Sequence, residues 1–123
     1  MCVGAARMAD VGGLKFASRE PWAGSAAIVE TVPYLRPGNL RLEGPKDPRL
    51  EAMLIALLVE RYLRLEPIVL PSFLELYEKV MPKATSAARN AYASGLLRTM
   101  GADGASPREM VRALSKEILN PET

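Results

Sequence analysis

The sequence predicts an all-α fold: a compact bundle of about four helices preceded by a long, mostly irregular N-terminal arm. Three observations carry this. Glycine and proline punctuate residues 1–47 so often that no long periodic segment survives there. From residue 48 to residue 123 apolar residues recur at helical spacing between clear start and stop signals. No stretch alternates polar and apolar residues for long enough to build a sheet. A chain of 123 residues is one domain by size, able to bury about two-thirds of its unfolded surface. Its apolar content, 49% of residues, is high for a compact monomer of that size, so burial against other chains is the default expectation.

The arm, residues 1–47, is broken by Gly4, Gly12, Gly13, Gly24, Gly38 and Gly44 and by Pro21, Pro33, Pro37 and Pro45. Only Ser25 to Val32 offers a short helix, with Ser25 as its cap. Arg36-Pro37-Gly38-Asn39 reads as a type II turn, Pro presetting φ at its second position and Gly accepting positive φ at its third. Phe16, Trp22, Ile28, Val29, Val32, Tyr34, Leu35, Leu40 and Leu42 make the segment too apolar for a solvated tail. It therefore reads as an extended arm, ordered by something outside its own chain, with Arg7, Lys15, Arg19, Arg36, Arg41 and Lys46 spread along it. At up to about 3.3 Å per residue it would reach on the order of 100 Å.

Asp47 before Pro48 signals the first helix, which runs to about Leu65 and is apolar nearly all round through Ala52 to Val59. Such a helix is expected to be central and buried on every side. Glu66-Pro67 ends it, and Pro71 opens a second helix whose stripe is Phe73, Leu74, Leu76, Tyr77, Val80 and Met81 before Pro82. A third, Ala-rich helix is predicted from about Ala84 to Met100, ended by Gly101 and Gly104. Ser106-Pro107-Arg108-Glu109 is a capping box opening the fourth, with the stripe Met110, Val111, Leu114 and Ile118 and a stop at Asn120-Pro121.

Charge singles out one stretch. Lys79 to Ala102 holds Lys79, Lys83, Arg89 and Arg98 and no Asp or Glu, although the whole chain is nearly balanced at +2. At 100° per residue, Thr85, Ser86, Arg89, Asn90, Ala93 and Ser94 fall on one side of the Ala-rich helix, and Ala84, Ala88, Ala91, Tyr92 and Gly95 on the other. Short side chains let another backbone approach. Tight packing against a neighbouring helix is the plainer reading, and a phosphate backbone is the functional one.

Composition points away from catalysis. There is no His, and the lone Cys2 beside the initiator has no partner for a disulfide. Zinc sites of Cys and His are excluded, no phosphate-binding glycine loop has the required spacing, and Glu75 and Glu78 read as a solvated face. We expect no enzyme, no metal, no cofactor and no small-molecule substrate. The longest apolar run, Ala52 to Val59, falls short of the roughly 20 residues of a membrane span. Absent Gln, scarce Asn and Cys, and prolines in loops form a hyperthermophile pattern.

The aromatic residues Phe16, Trp22, Tyr34 and Tyr92 are scattered in aliphatic surroundings and read as packing rather than as base-stacking platforms. No helix carries the Arg, Asn and Gln cluster that reads base edges, so any nucleic-acid contact is to phosphates and independent of sequence. The candidate contacts from charge alone are Arg7, Lys15, Arg19, Arg36, Arg41, Lys83, Ser86, Arg89 and Asn90.

A Gly/Pro-broken, apolar and basic arm before a compact helical domain, in a His-free chain of this size, resembles the coat proteins of filamentous and rod-shaped viruses of hyperthermophilic archaea. The resemblance covers the whole chain as architecture and rests on organisation and composition, so no family residue transfers by motif. It implies a virion capsid subunit, made in the host cytoplasm. Many copies, commonly paired with a related second coat protein, would wrap linear double-stranded DNA in the A form. Some members are enclosed by a lipid envelope, which implies lipid as a further contact. The arm would clasp the duplex and the helical domain would make the outer wall. Two alternatives remain open, both cytoplasmic. One is a small helical subunit of a CRISPR effector complex. The other is a small DNA-binding regulator, for which the turn from Gly101 to Ser106 before Arg108, Glu109 and Arg112 is the one candidate helix-turn-helix.

Overall fold

Start and stop signals in the sequence become helix ends in three dimensions. The computed structural model of the protein describes residues 2–21, 32–35, 41–65 and 71–119. In chain order its elements are α1 (Cys2–Met8), β1 (Gly13–Lys15), β2 (Arg41–Glu43), α2 (Pro48–Arg64), α3 (Pro71–Val80), α4 (Pro82–Ser94), α5 (Leu96–Ala102) and α6 (Pro107–Leu119). The protein is mostly helical. Contacts divide it into two compact units, Met1–Asp47 and Pro48–Thr123.

In the second unit the helix at the centre is α4, which meets α2, α3, α5 and α6. Its most extensive partner is α2. Ala84, Ala88 and Ala91 share one core with Ile55, Ala56, Val59 and Leu63 of α2, Phe73 and Tyr77 of α3 and Leu114 of α6. Phe73 stands between two tyrosines, 4.4 Å from the Tyr62 ring centroid and 4.6 Å from that of Tyr77. Rings at those separations add packing energy beyond the area they bury.

Two sequence expectations change here. The first helix is not buried on every side: Leu50 and Leu54 are 39% and 38% exposed, while Ile55, Ala56, Val59 and Leu63 form its buried face. Apolar character all round α2 permits central burial, but the short side chains of α4 allow closer approach, and α4 takes that place. Facing inward on α2 is also a carboxylate, Glu60, 1% exposed, with Oε2 2.9 Å from Nε of Arg64 one turn on. The contact is ionic without hydrogen-bond alignment, and the half-exposed Arg64 supplies the counter-charge that a buried carboxylate needs.

The second change is a break in the third helix at Gly95. Its φ of 67° lies in the left-handed region, its N–H is directed back to the carbonyls of Ala91 and Tyr92, and α5 starts at the next residue. Gly101 lies inside α5. The stop comes at Gly104, φ 76°, where the Ala105 N–H returns to the Met100 carbonyl at 2.9 Å. The capping box then forms as its sequence predicts. The Ser106 N–H donates to Glu109 Oε2 at 2.7 Å, and the Glu109 N–H donates to Ser106 Oγ at 3.3 Å. The bond from the Ser106 backbone, then that with its side chain, holds the Glu109 carboxyl below its ordinary range. The expected stops at Glu66-Pro67 and Asn120-Pro121 lie outside the described residues.

In the first unit the described residues fold back on themselves instead of forming an extended arm. α1, unforeseen in the sequence reading, closes with Asp10 at φ 55° and the Val11 N–H bonded to the Ala6 carbonyl at 3.1 Å. β1 and β2 pair in parallel, Leu14 opposite Leu42. Val3 and Leu35 are buried with Ala6, Leu14, Val32 and Leu42 packed against them. The cause is the apolar content noted above: these side chains find partners within the segment. Three-residue strands are too short for alternation to announce them. The helix expected over Ser25 to Val32 falls, apart from Val32, outside the described residues, as do Trp22 and the turn at Arg36 to Asn39.

Opposite signs are expected at two glycines. Gly95→Ala forces a side chain into the left-handed region and should cost about 1–2 kcal/mol. Gly101→Ala, whose Cβ would meet only Met110 Cε at 3.9 Å, should stabilise its helix by roughly 0.5 kcal/mol. Thermal melts followed by circular dichroism compare the two directly.

Candidate nucleic-acid interface

The outer side of α4 is built by what its inner side requires. Burial of Ala84, Thr85, Ala87, Ala88 and Ala91 turns Lys83, Ser86, Arg89, Asn90, Ala93 and Ser94 to solvent. This matches the helical-wheel division except at Thr85, which is 1% exposed and donates its hydroxyl to the Met81 carbonyl at 2.9 Å. Thr85 is thus a packed residue with a satisfied hydroxyl. Ser94 likewise donates to the Ala91 carbonyl, at 3.3 Å. Lys83, Ser86 and Asn90 remain exposed at the helix's N-terminal end and along its outer face. No acid lies in the first turn, where the positive end of the helix dipole favours anions.

Arg89 behaves differently. It sits at the edge of this face, and its guanidinium pairs with the Glu78 carboxylate of α3. The acid-free stretch begins one residue after Glu78, and folding returns that carboxylate to the stretch's central cation. Both side chains are nearly half exposed, so solvent screens the pair. Arg89 is available to a phosphate only in competition with Glu78.

The first unit sorts its cations in the same way. Arg7 lies over the Tyr34 ring, 5.5 Å from guanidinium carbon to centroid, and its Nε is buried without a hydrogen-bond partner among the described residues. That cation is engaged in packing. Arg19 is exposed but already has an interaction partner. Arg36 lies outside the described residues. Parallel pairing brings Lys15 and Arg41, far apart in sequence, onto one strand pair, both exposed. The other aromatics pack: Tyr92 lies partly buried against the core under Arg98, 5.5 Å from its centroid, and Phe16 is half-buried beside Gly44.

Outside the phosphate contacts expected from charge is a basic ridge on α6, two of whose residues belong to the candidate helix-turn-helix. Arg108, Arg112 and Lys116 are all exposed, four residues apart, and none has an ion pair among the described residues. At 1.5 Å per residue they form a row with steps of about 6 Å. The i, i+4, i+8 spacing was visible in the sequence, but the adjacent Glu109 and Glu117 lower the charge of any linear window. Among the described residues no group of His, Cys, Asp and Glu is placed to hold a metal, and no helix is long and apolar enough to cross a membrane. No protein-family model, curated protein or solved structure matches this chain.

Glu78→Gln removes the intramolecular competitor for Arg89. It should tighten binding to linear duplex DNA at low salt and steepen the salt dependence by about one counterion. Glu75→Gln makes the same change in net charge without freeing a cation and should do so less. Fluorescence anisotropy across a salt series separates them.

Proposed function

We propose that this chain is a structural virion coat protein that assembles helically around linear double-stranded DNA, held in the A form, through phosphate contacts independent of base sequence. The observation that carries the reading is the outer face of α4. It combines a cation, a hydroxyl and an amide in Lys83, Ser86 and Asn90 with short neighbours, on a helix containing no acid. Such a face can lie close to a phosphate backbone, where contacts fix position and carry no sequence information. Exposed Lys15 and Arg41 in the first unit and the α6 ridge add further cations.

In this reading the longer helices α2, α3, α4 and α6 form the bundle that makes the outer wall, and residues 1–47 clasp the duplex. Exposed Leu50, Leu54, Leu65, Val80 and Leu119 supply apolar surface for contacts between subunits, whether copies of this chain or a related second coat protein. The modest net charge is compatible with phosphate binding because the cations are unevenly placed, with Lys83 on an acid-free helix and Arg108, Arg112 and Lys116 in one exposed row. A DNA-binding regulator is the second reading. It is favoured by α5 and α6 meeting across residues 103–106, with Arg108 and Arg112 exposed early in α6.

Negative-stain electron microscopy of the protein mixed with linear duplex DNA, before and after nuclease, tests the proposal. Filaments of uniform width that protect the DNA are the expected outcome. Discrete particles with fully digested DNA would move the weight to the regulator.

A further inference from the structure

We propose that the strand pair of the first unit forms a seat for a single phosphate group. β1 and β2 place Gly13 opposite Arg41 and Lys15 opposite Glu43. Successive strand residues point to opposite faces, so these four positions share one face, exposed in both strands, while Leu14 and Leu42 turn to the small core. Gly13 contributes no side chain beside Arg41. The result is an open cavity of about 390 Å³ lined by Gly12, Gly13, Leu14, Lys15, Arg41 and Glu43.

Glycine suits position 13 on two counts. A Cβ there would lie 3.1 Å from the Arg41 carbonyl oxygen, on the backbone of the paired strand, which cannot yield without loosening the ladder. The same missing side chain leaves the floor of the cavity as bare backbone. Around it the charges are unequal. Glu43 Oε2 is 3.7 Å from Lys15 Nζ and 3.5 Å from Lys46 Nζ, and Arg41 has no ion pair among the described residues. Two lysines thus share one carboxylate while Arg41 stands on the same strand face, an excess of positive charge that an anion can neutralise.

The guanidinium of Arg41, without an ion pair among the described residues, presents a planar fork suited to two oxygens of one phosphate, and Lys15 supplies a point charge from the neighbouring strand. Phosphate fits this arrangement better than a carboxylate, because it offers charged oxygens in more than one plane to cations on two strands. Glu43 acts as a positioning residue, drawing the Lys15 ammonium toward the sheet face. The seat rests on the proposed function only in taking its phosphate from a nucleic-acid backbone; a free phosphate has the same chemistry.

The experiment is amide NMR of the full chain titrated with inorganic phosphate, a thymidine dinucleotide and a linear duplex, alongside K15Q and R41Q. Shifts at the Gly12, Gly13, Lys15 and Arg41 amides with all three probes, lost in the variants, are expected. Each variant should also lower the slope of log K against log salt for the duplex by about 1. If the duplex binds and protects normally while neither variant alters slope or shifts, the seat is overturned and the coat reading survives. If inorganic phosphate moves these amides but the duplex does not bind, the seat stands with free phosphate as its ligand, and the coat reading fails.

Discussion

The close packing of the alanine face of α4 against its neighbours is the constraint on which the rest of the helical unit depends. Ala84, Ala88 and Ala91 let Ile55, Val59, Tyr77 and Leu114 converge from three helices on one core. In a core packed to native density even small increases in side-chain volume cost about 1–3 kcal/mol, so these positions tolerate little growth. Burying one side of the helix also orients the other. Lys83, Ser86 and Asn90 face solvent because the alanines do not, and the candidate interface is the reverse side of the core. The same helix answers both readings of its sequence, tight packing inside and a short polar surface outside.

Charge placement follows from folding more than from local composition. Arg89 stands in an acid-free stretch yet pairs with Glu78 from α3. Arg7 rests over Tyr34, and Lys15 shares Glu43 with Lys46. What meets an external polyanion without loosening an ion pair is a smaller set: Lys83 with its polar neighbours, Arg41, and the α6 row of Arg108, Arg112 and Lys116. Each of these lies on a regular element with a buried reverse side. Within the helical unit the spacing of Lys83 and the α6 row is therefore held by helices and not by loops, which suits repeated contacts along a regular phosphate backbone.

Helix starts were legible wherever a local chemical rule set them. Pro48, Pro71 and Pro107 begin helices, and Ser106 with Glu109 makes the reciprocal cap its spacing predicts. The break at Gly95 was less so, because a glycine inside an apolar run can be tolerated or can stop a helix, and packing decides which. The parallel pairing of residues 13–15 with 41–43 was not legible: strands this short have no periodicity, and their partner is distant in sequence. The outward face of α4 could be read from its wheel. The capture of Arg89 by Glu78 could not, since it depends on how α3 turns into α4. For the same reason a charge count along the chain favours Arg7 as strongly as Arg41, and only the folded unit separates them.

The central claim is that this protein meets nucleic acid through phosphates, indifferent to base sequence. The most direct test is the affinity for several linear duplexes of unrelated sequence across a range of salt. The account predicts affinities agreeing within about threefold and falling linearly on a log–log plot as salt rises. One duplex bound on the order of a thousandfold more tightly than the others, or binding that ignores salt, would contradict it.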